Sequence, residues 1–321
     1  MMATTSADVA RRAGVSRGAV SQILNGRGER FTEATREKVH EAARALQYQP
    51  SIAGRALARG SSDVVIALIP NTTFGGNLQD VFEALTDELA KRGLTLVLRL
   101  ATPSMETLDR VVTGMQPRAV LSLTPFSTQE RELLAHRDIM AIDPSTTARS
   151  DLNHEIGALQ AQHLAERGHR RLAYAHLRDA RQDPFGRGRE QGFREACAAL
   201  PVELIGVVGL DVDPVAARAA LEELGQPGIG VACYNDDVAT ALLYAAAAAG
   251  WRVPEDLAVI GMDHTPLSAV TTPPLTTIDY DTASSAQAAI DSILVQLGIT
   301  ERDATDDVPE VGLRLIARAT T

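Results

Sequence analysis

Long apolar runs are missing from this chain of 321 residues. The longest, Ala241 to Ala249, is mostly alanine and falls well short of the ~20 residues needed to cross a bilayer, so no membrane partner is expected. The opening segment, MMATTSADVARRAG, has no apolar stretch of the kind a secretory signal requires. Cysteine is nearly absent. Cys197 and Cys233 offer neither metal spacing nor a disulfide framework, and they read as small core residues in a reducing compartment. A cytoplasmic protein is therefore expected. Signatures of cofactor chemistry are lacking as well: there is no P-loop, no G-x-G-x-x-G after the first strand, and no metal spacing among the seven histidines. No cofactor and no metal are expected. Gly14-Val15-Ser16-Arg17-Gly18 does match G-x-S-x-G, but that nucleophile elbow works only at a turn between a buried strand and a helix. The preceding ADVARRA is helical and charged, so Ser16 reads as a helix cap and no catalytic residue is expected.

What is present is an uneven distribution of charge. Residues 1–60 hold ten Lys and Arg against five acids, leaving 21 basic and 36 acidic residues in the remainder, so the net −10 divides into +5 and −15. A small basic head on an acidic body implies that only the head meets phosphate.

The head reads as three short helices. From Ser6, a candidate cap, Val9, Ala10 and Ala13 share one face, with Asp8 in the first turn. Gly14-Val15 breaks that helix and Ser16 caps a second, Arg17 to Leu24, with Val20, Ile23 and Leu24 inward, ending at Asn25-Gly26. A third begins at Thr32 and places Val39, Ala42, Ala43 and Leu46 on one face. Two helices joined by a turn of about four residues containing Gly form a helix-turn-helix, whose second helix enters the major groove by its N-terminal end. Arg17, Gly18 and Gln22 are therefore the candidate base readers. Arg17 can donate twice to guanine and Gln22 can pair with adenine, while Gly18 lets the backbone come close. Thr5, Ser16, Ser21 and Asn25 suit contacts to the DNA backbone. A small helical bundle with a basic surface is the plainer alternative.

The runs DVARRAGVSRGAVSQILNGR and FTEATREKVHEAARALQYQPSIAGRALA closely resemble the lactose-repressor/galactose-repressor family of bacterial regulators. The resemblance implies that Pro50 opens a hinge helix that is disordered off DNA and folds on an operator. It also implies that Leu57 wedges into the minor groove, with Arg55 as the basic hinge residue. Ser51 and Gly54 depart from the family pattern, and Gly54 costs about 1 kcal/mol of helix propensity.

Beyond Gly60-Ser61-Ser62 the pattern becomes strand–helix alternation. Strands are expected at Val64–Ile69, Leu94–Leu100, Ala119–Leu123, Met140–Ile142, Leu172–Ala175, Leu204–Val208, Gly230–Cys233 and Leu257–Gly261, with helices at 82–92, 155–167, 188–199, 214–224 and 237–249. Such alternation means parallel sheets covered on both faces, and about ten strands suit two doubly wound lobes. Ligands of such sheets bind at the carboxyl ends of strands. Arg189 offers a donor fork. Asp263 follows the strand LAVIGM, and Asn235 and Asp236 follow GVACY. Phe74 and Tyr280 could cover a ring. Plainer roles remain open: Asp236 as a helix cap, Asp263 as a turn residue, Arg189 as a surface charge.

The body is similar to the same family throughout: GHRRLAYA from Gly168, Arg189-Glu-Gln-Gly192-Phe193, Asn235-Asp236, Val253-Pro254, Val259-Ile-Gly-Met-Asp263, Pro274-Leu-Thr-Thr-Ile278 and Leu315-Ile-Ala-Arg318 stand in order. His264, Leu152-Asn153 and the loop from Asn71 depart from it. The family's fold, shared with periplasmic sugar-binding proteins, implies an α/β protein. A helix-turn-helix head would span 1–50 and a hinge and linker 51–62. A two-lobed, doubly wound effector-binding body would span 63–321, one lobe taking about 63–154 and 284–309, the other about 155–283 and 310–321. The function implied is that of a repressor whose affinity for double-stranded, pseudo-palindromic operator DNA is changed by a small molecule, a sugar or sugar derivative, bound between the lobes. A corepressor of the purine type is the alternative, and a binding module without DNA function the more distant one. The end at Thr321, with no heptad tail, favours a homodimer.

Overall fold

The computed structural model describes residues 4–24, 28–48, 62–69, 76–101, 104–143, 146–178, 185–280, 282–300 and 312–321. The head is three helices, α1 (Ser6–Ala13), α2 (Arg17–Leu24) and α3 (Glu33–Ala45). Val9, Ala10, Val20, Ile23, Val39, Ala42 and Ala43 form its core. The cap of α1 is Thr5 rather than Ser6: the Thr5 amide and hydroxyl both donate to the Asp8 carboxylate, at 3.0 and 2.7 Å. With a carboxylate three residues on, Thr5 makes the reciprocal box that Ser6, one residue later, cannot. Gly14, at φ 69, ends α1 in the left-handed conformation. Ser16 does cap α2, accepting from the Ala19 amide at 3.1 Å, and Thr32 caps α3. The expected hinge, with Arg55 and Leu57, lies outside the described residues, as do Asn25 and Phe74.

The body contains two four-stranded parallel sheets. The first uses β1 (Val64–Ile69), β2 (Thr95–Leu100), β3 (Ala119–Ser122) and β4 (Met140–Ile142) in the order β2-β1-β3-β4. All six residues of β1 are buried, because successive side chains enter opposite cores. Val65, Ala67 and Ile69 meet α4 (Gly76–Ala90) and α11 (Thr282–Gln296); Val64, Ile66 and Leu68 meet α5 (Met105–Met115) and α6 (Thr128–His136). A continuous apolar run such as VVIALI is what a strand covered on both faces requires.

The second sheet uses β5 (Arg171–Leu177), β6 (Glu203–Leu210), β7 (Ile229–Cys233) and β8 (Leu257–Ile260) in the order β6-β5-β7-β8. One face packs on α9 (Pro214–Leu224) and α10 (Asp236–Ala249). The other packs on α7 (Thr146–Glu166) and α8 (Gly186–Ala199). An antiparallel pair, β9 (Thr277–Tyr280) with β10 (Leu313–Ile316), continues this lobe through a bridge from Ile260 to Thr276. The Val259 amide donates to the Thr320 carbonyl at 2.8 Å, and Thr320 and Thr321 are buried. Two expected helices start earlier than their apolar periodicity suggests, at Gly76 instead of 82 and at Thr146 instead of 155. Their first turns carry few apolar residues, so periodicity does not mark them. In both sheets the strand order reverses once, between β1 and β3 and between β5 and β7. Crevices at the carboxyl ends of those strands are where such sheets hold ligands.

Candidate DNA-reading head and effector site

On α2 the apolar side is Ala19, Val20 and Ile23, all buried. Arg17 and Gly18 are exposed, and Ser21 and Gln22 are half-buried. The helix therefore turns a polar edge outward, with its first turn unobstructed by the bundle. Of the expected backbone contacts, Ser16 is exposed at the same end, and Thr5 is exposed with its hydroxyl proton directed at Asp8.

In the second lobe Arg189 is 6% exposed despite its charge. Its Nε donates to Asn153 Oδ1 at 3.0 Å and its Nη1 donates to the Tyr234 carbonyl. The guanidinium lies 4.9 Å from the Tyr234 ring centroid and 6.0 Å from that of Phe185. Two glycines make this possible. A Cβ at Gly157 would stand 1.8 Å from the Arg189 carbonyl oxygen, and one at Gly192 would stand 1.9 Å from that of His154. With no side chain at either crossing point, α7 and α8 touch backbone to backbone, and Arg189 is delivered to Asn153.

Tyr234 leads directly into Asn235 and Asp236, and the cap role considered for Asp236 falls to Asn235. Asn235 is the cap of α10, its Oδ1 accepting from the Val238 amide at 3.0 Å. Asp236, 1% exposed, is not the cap. Its Oδ1 accepts from Thr277 Oγ1 at 2.6 Å and its Oδ2 from the amide and hydroxyl of Thr265 at 2.7 and 2.9 Å. Three donors thus occupy the carboxylate, which clips the 261–265 turn to β9. Burial raises its pKa, and the Thr277 and Thr265 hydrogen bonds oppose that rise.

Asp263 does sit at a turn, at φ 99, followed by His264 at φ 46. Left-handed backbone at two consecutive non-glycine residues persists only where surroundings dictate it. The Asp263 amide donates to Ile278 and the His264 amide to Thr277 Oγ1. Burial pushes the Asp263 carboxyl up to about 7, Arg189 pulling it down and Asp236 and Asp237 adding to the rise. A buried guanidinium and a carboxyl that its surroundings make harder to ionise therefore lie at the carboxyl ends of β7 and β8. Tyr280 ends β9, the strand whose Thr277 and Ile278 bind the turn of Asp263; its side chain lies outside the described residues.

In the first lobe a cavity of about 200 Å³ opens at the carboxyl ends of β1, β3 and β4, walled by Leu68, Phe82, Leu123 and Ile293 and edged by Ser122 and Asp143. Asp143 accepts from the Phe126 amide at 2.7 Å and from Arg131 at 2.5 Å. Sequence reasoning overlooked Asp143, and named Asn153 only within a departure from the family pattern, without a role. The strand-end rule that selected Asp263 would have found Asp143, one residue after β4, whereas Asn153 has no local signal. Among the described residues no group of His, Cys, Asp and Glu could hold a metal ion, and no helix is long and apolar enough to cross a membrane.

Residues 5–51 match the bacterial regulatory proteins of the lacI family, and residues 161–321 match the periplasmic binding protein-like domain. The HTH-type transcriptional repressor PurR of Vibrio atlanticus (strain LGP32) is 30% identical over 335 residues, covering 98% of each chain. The chain belongs to the lacI family of bacterial regulatory proteins. Among solved structures, the transcriptional regulator CelR–cellobiose complex aligns with a TM-score of 0.65 at 25% identity, over 99% of this chain and 100% of that one. The lac repressor dimer bound to operator and the anti-inducer ONPF shares the fold, with a TM-score of 0.74 at 22% identity over 99% of each chain. This lacI-family chain is a DNA-binding transcriptional regulator with an effector-binding body, not an enzyme. The G-x-S-x-G match is accounted for by the cap of α2.

Proposed function

We propose that this regulator is a cytoplasmic homodimeric repressor whose grip on a pseudo-palindromic operator is set by a small carbohydrate bound between its lobes. The observation that carries the reading is that two groups lie at the carboxyl ends of the second sheet: Arg189, buried on Asn153 and the Tyr234 carbonyl, and Asp263, on the turn that Asp236 holds through Thr265. A guanidinium fork that donates and a carboxyl that accepts suit vicinal hydroxyls. The 200 Å³ first-lobe cavity suits an apolar sugar face across the crevice. Head (1–50), hinge (51–62) and body (63–321) form the working division, with Arg17, Gly18 and Gln22 reading bases and Leu57 wedging the minor groove. Effector binding favours one lobe arrangement, which changes the spacing of the two hinges in the dimer. Val212, Val215, Tyr244, Leu267 and Val270 on the second lobe, and Leu98 and Leu100 at the first lobe's β2 edge, are apolar and exposed, which makes them candidates for the seam of that dimer.

The test is a thermal-shift screen of cellobiose, glucose, gluconate, glucose 6-phosphate, hypoxanthine and guanine, repeated on Arg189→Ala. A sugar that raises the wild-type midpoint, loses its effect in Arg189→Ala and weakens operator binding supports the reading. A purine that strengthens operator binding replaces it with the corepressor alternative. Loss of operator binding by Arg189→Ala without any compound would make Arg189 structural.

A further inference from the structure

We propose that Gln160 is the positioning residue of the effector site: from α7 its amide ties the turns after β7 and β8 together and so fixes the turn of Asp263 relative to the Tyr234 carbonyl that receives Arg189. The inference rests on the effector-site reading above. Gln160 is fully buried. Its Nε2 donates to the Cys233 carbonyl at 2.9 Å and to the Gly261 carbonyl at 3.2 Å. Carbonyl oxygens only accept, so the amide has one permitted orientation. Cys233 is the last residue of β7 and Gly261 follows β8. The chain beyond Cys233 supplies the Tyr234 carbonyl that receives Arg189. The chain beyond Gly261 supplies Asp263. One side chain therefore reaches the base of both turns.

Its second feature argues against a role in cohesion alone. With both protons spent, Oε1 is buried and has no hydrogen-bond partner among the described residues, which is costly in a protein interior. Ile156, Ala161 and Leu164 already fasten α7 to the sheet by apolar packing, so adhesion alone does not require an amide at 160. What the amide adds is a fixed separation between two backbones. Asp236 completes the clamp from the other side: its amide donates to Met262 at 2.9 Å, and a Cβ at Gly261 would stand 2.2 Å from its Oδ1. The left-handed pair Asp263-His264 is thus gripped before, behind and beneath.

The experiment needs no effector. Ligand-free protein carrying ¹³Cγ-labelled aspartate is titrated by NMR, with the Asp263 signal identified by its loss in Asp263→Asn. Wild type should titrate near 7, where burial places it. In Gln160→Leu the midpoint should fall by about one unit or more as the turn opens to water, and the amide signals of residues 234–236 and 262–265 should move together. Gln160→Glu, which keeps one donor while neutral, should fall between and carries the same test if the leucine variant does not fold. An unchanged Asp263 midpoint in these variants overturns the proposal. So do amide changes that spread to α9 and β6, since Gln160 would then be an ordinary core contact. If no compound in the screen binds, the effector reading fails while this result stands.

Discussion

Replacing Gly192 by alanine adds one methyl group to the face of α8 that lies on α7. The new Cβ would be 1.9 Å from the His154 carbonyl oxygen, whereas ordinary contact begins at 3.4 Å, so the helices must separate by roughly 1.5 Å. Backbone oxygen cannot rotate aside. Overfilling a packed interface costs about 1–3 kcal/mol, while alanine regains at most about 1 kcal/mol of helix propensity, so the net sign is destabilising. The same separation stretches the 3.0 Å bond from Arg189 Nε to Asn153 Oδ1 beyond hydrogen-bonding reach. Gly157→Ala, with its Cβ 1.8 Å from the Arg189 carbonyl, should behave alike. The control is Gly114→Ala on α5, where a Cβ meets nothing within 4 Å and propensity alone acts, raising stability by up to about 1 kcal/mol. Thermal unfolding by circular dichroism reads the difference, at about 2–4 °C per kcal/mol for a unit of 150–250 residues. A Gly192→Ala midpoint at or above wild type, or equal losses in Gly192→Ala and Gly114→Ala, would refute the close-crossing argument.

Asp263→Asn should stabilise the protein increasingly as pH rises. An acid held at about 7 when folded, against 3.8 ordinarily, contributes its full stability below about 4 and loses it as the pH climbs to about 7. The midpoint difference between variant and wild type, followed from pH 5 to 8, should therefore grow; a flat difference would contradict the raised acid. Arg17→Ala, measured on duplexes selected from a random library, should cost about 1–3 kcal/mol and relax preference at one base position. A uniform loss across sequences, with a shallower salt dependence, would assign Arg17 to phosphate.

The strands were legible because VVIALI and LAVI are buried on both faces, which leaves a continuous apolar run in the sequence. The ends of long helices were less so, since the first turns of α4 and α7 lack that signature. At the site, Asn235 and Asp236 were indistinguishable as caps: both are short acceptors following the same strand. What separates them is Thr265 and Thr277, 29 and 41 residues beyond Asp236, and no local pattern carries that. Gln160 did leave a trace, standing between Ile156 and Leu164 at spacings of four, a polar residue on the buried stripe of α7. Its two carbonyl partners, 73 and 101 residues away, exist only after the sheet forms.

Neither lobe of the body is finished by the chain's first pass through it. The first lobe's core closes only with Ile290 and Leu294 from α11 and Leu297 just after it. The second needs β10 against β9 and the Thr320 carbonyl and hydroxyl on Val259. The head's core, by contrast, is complete once Leu46 and Tyr48 have packed on its three helices. Chains emerge N-terminus first and domains fold as units, so the operator reader is assembled while both halves of the control domain are still open. For that interval a nascent chain carries a DNA-reading head that no effector can yet command.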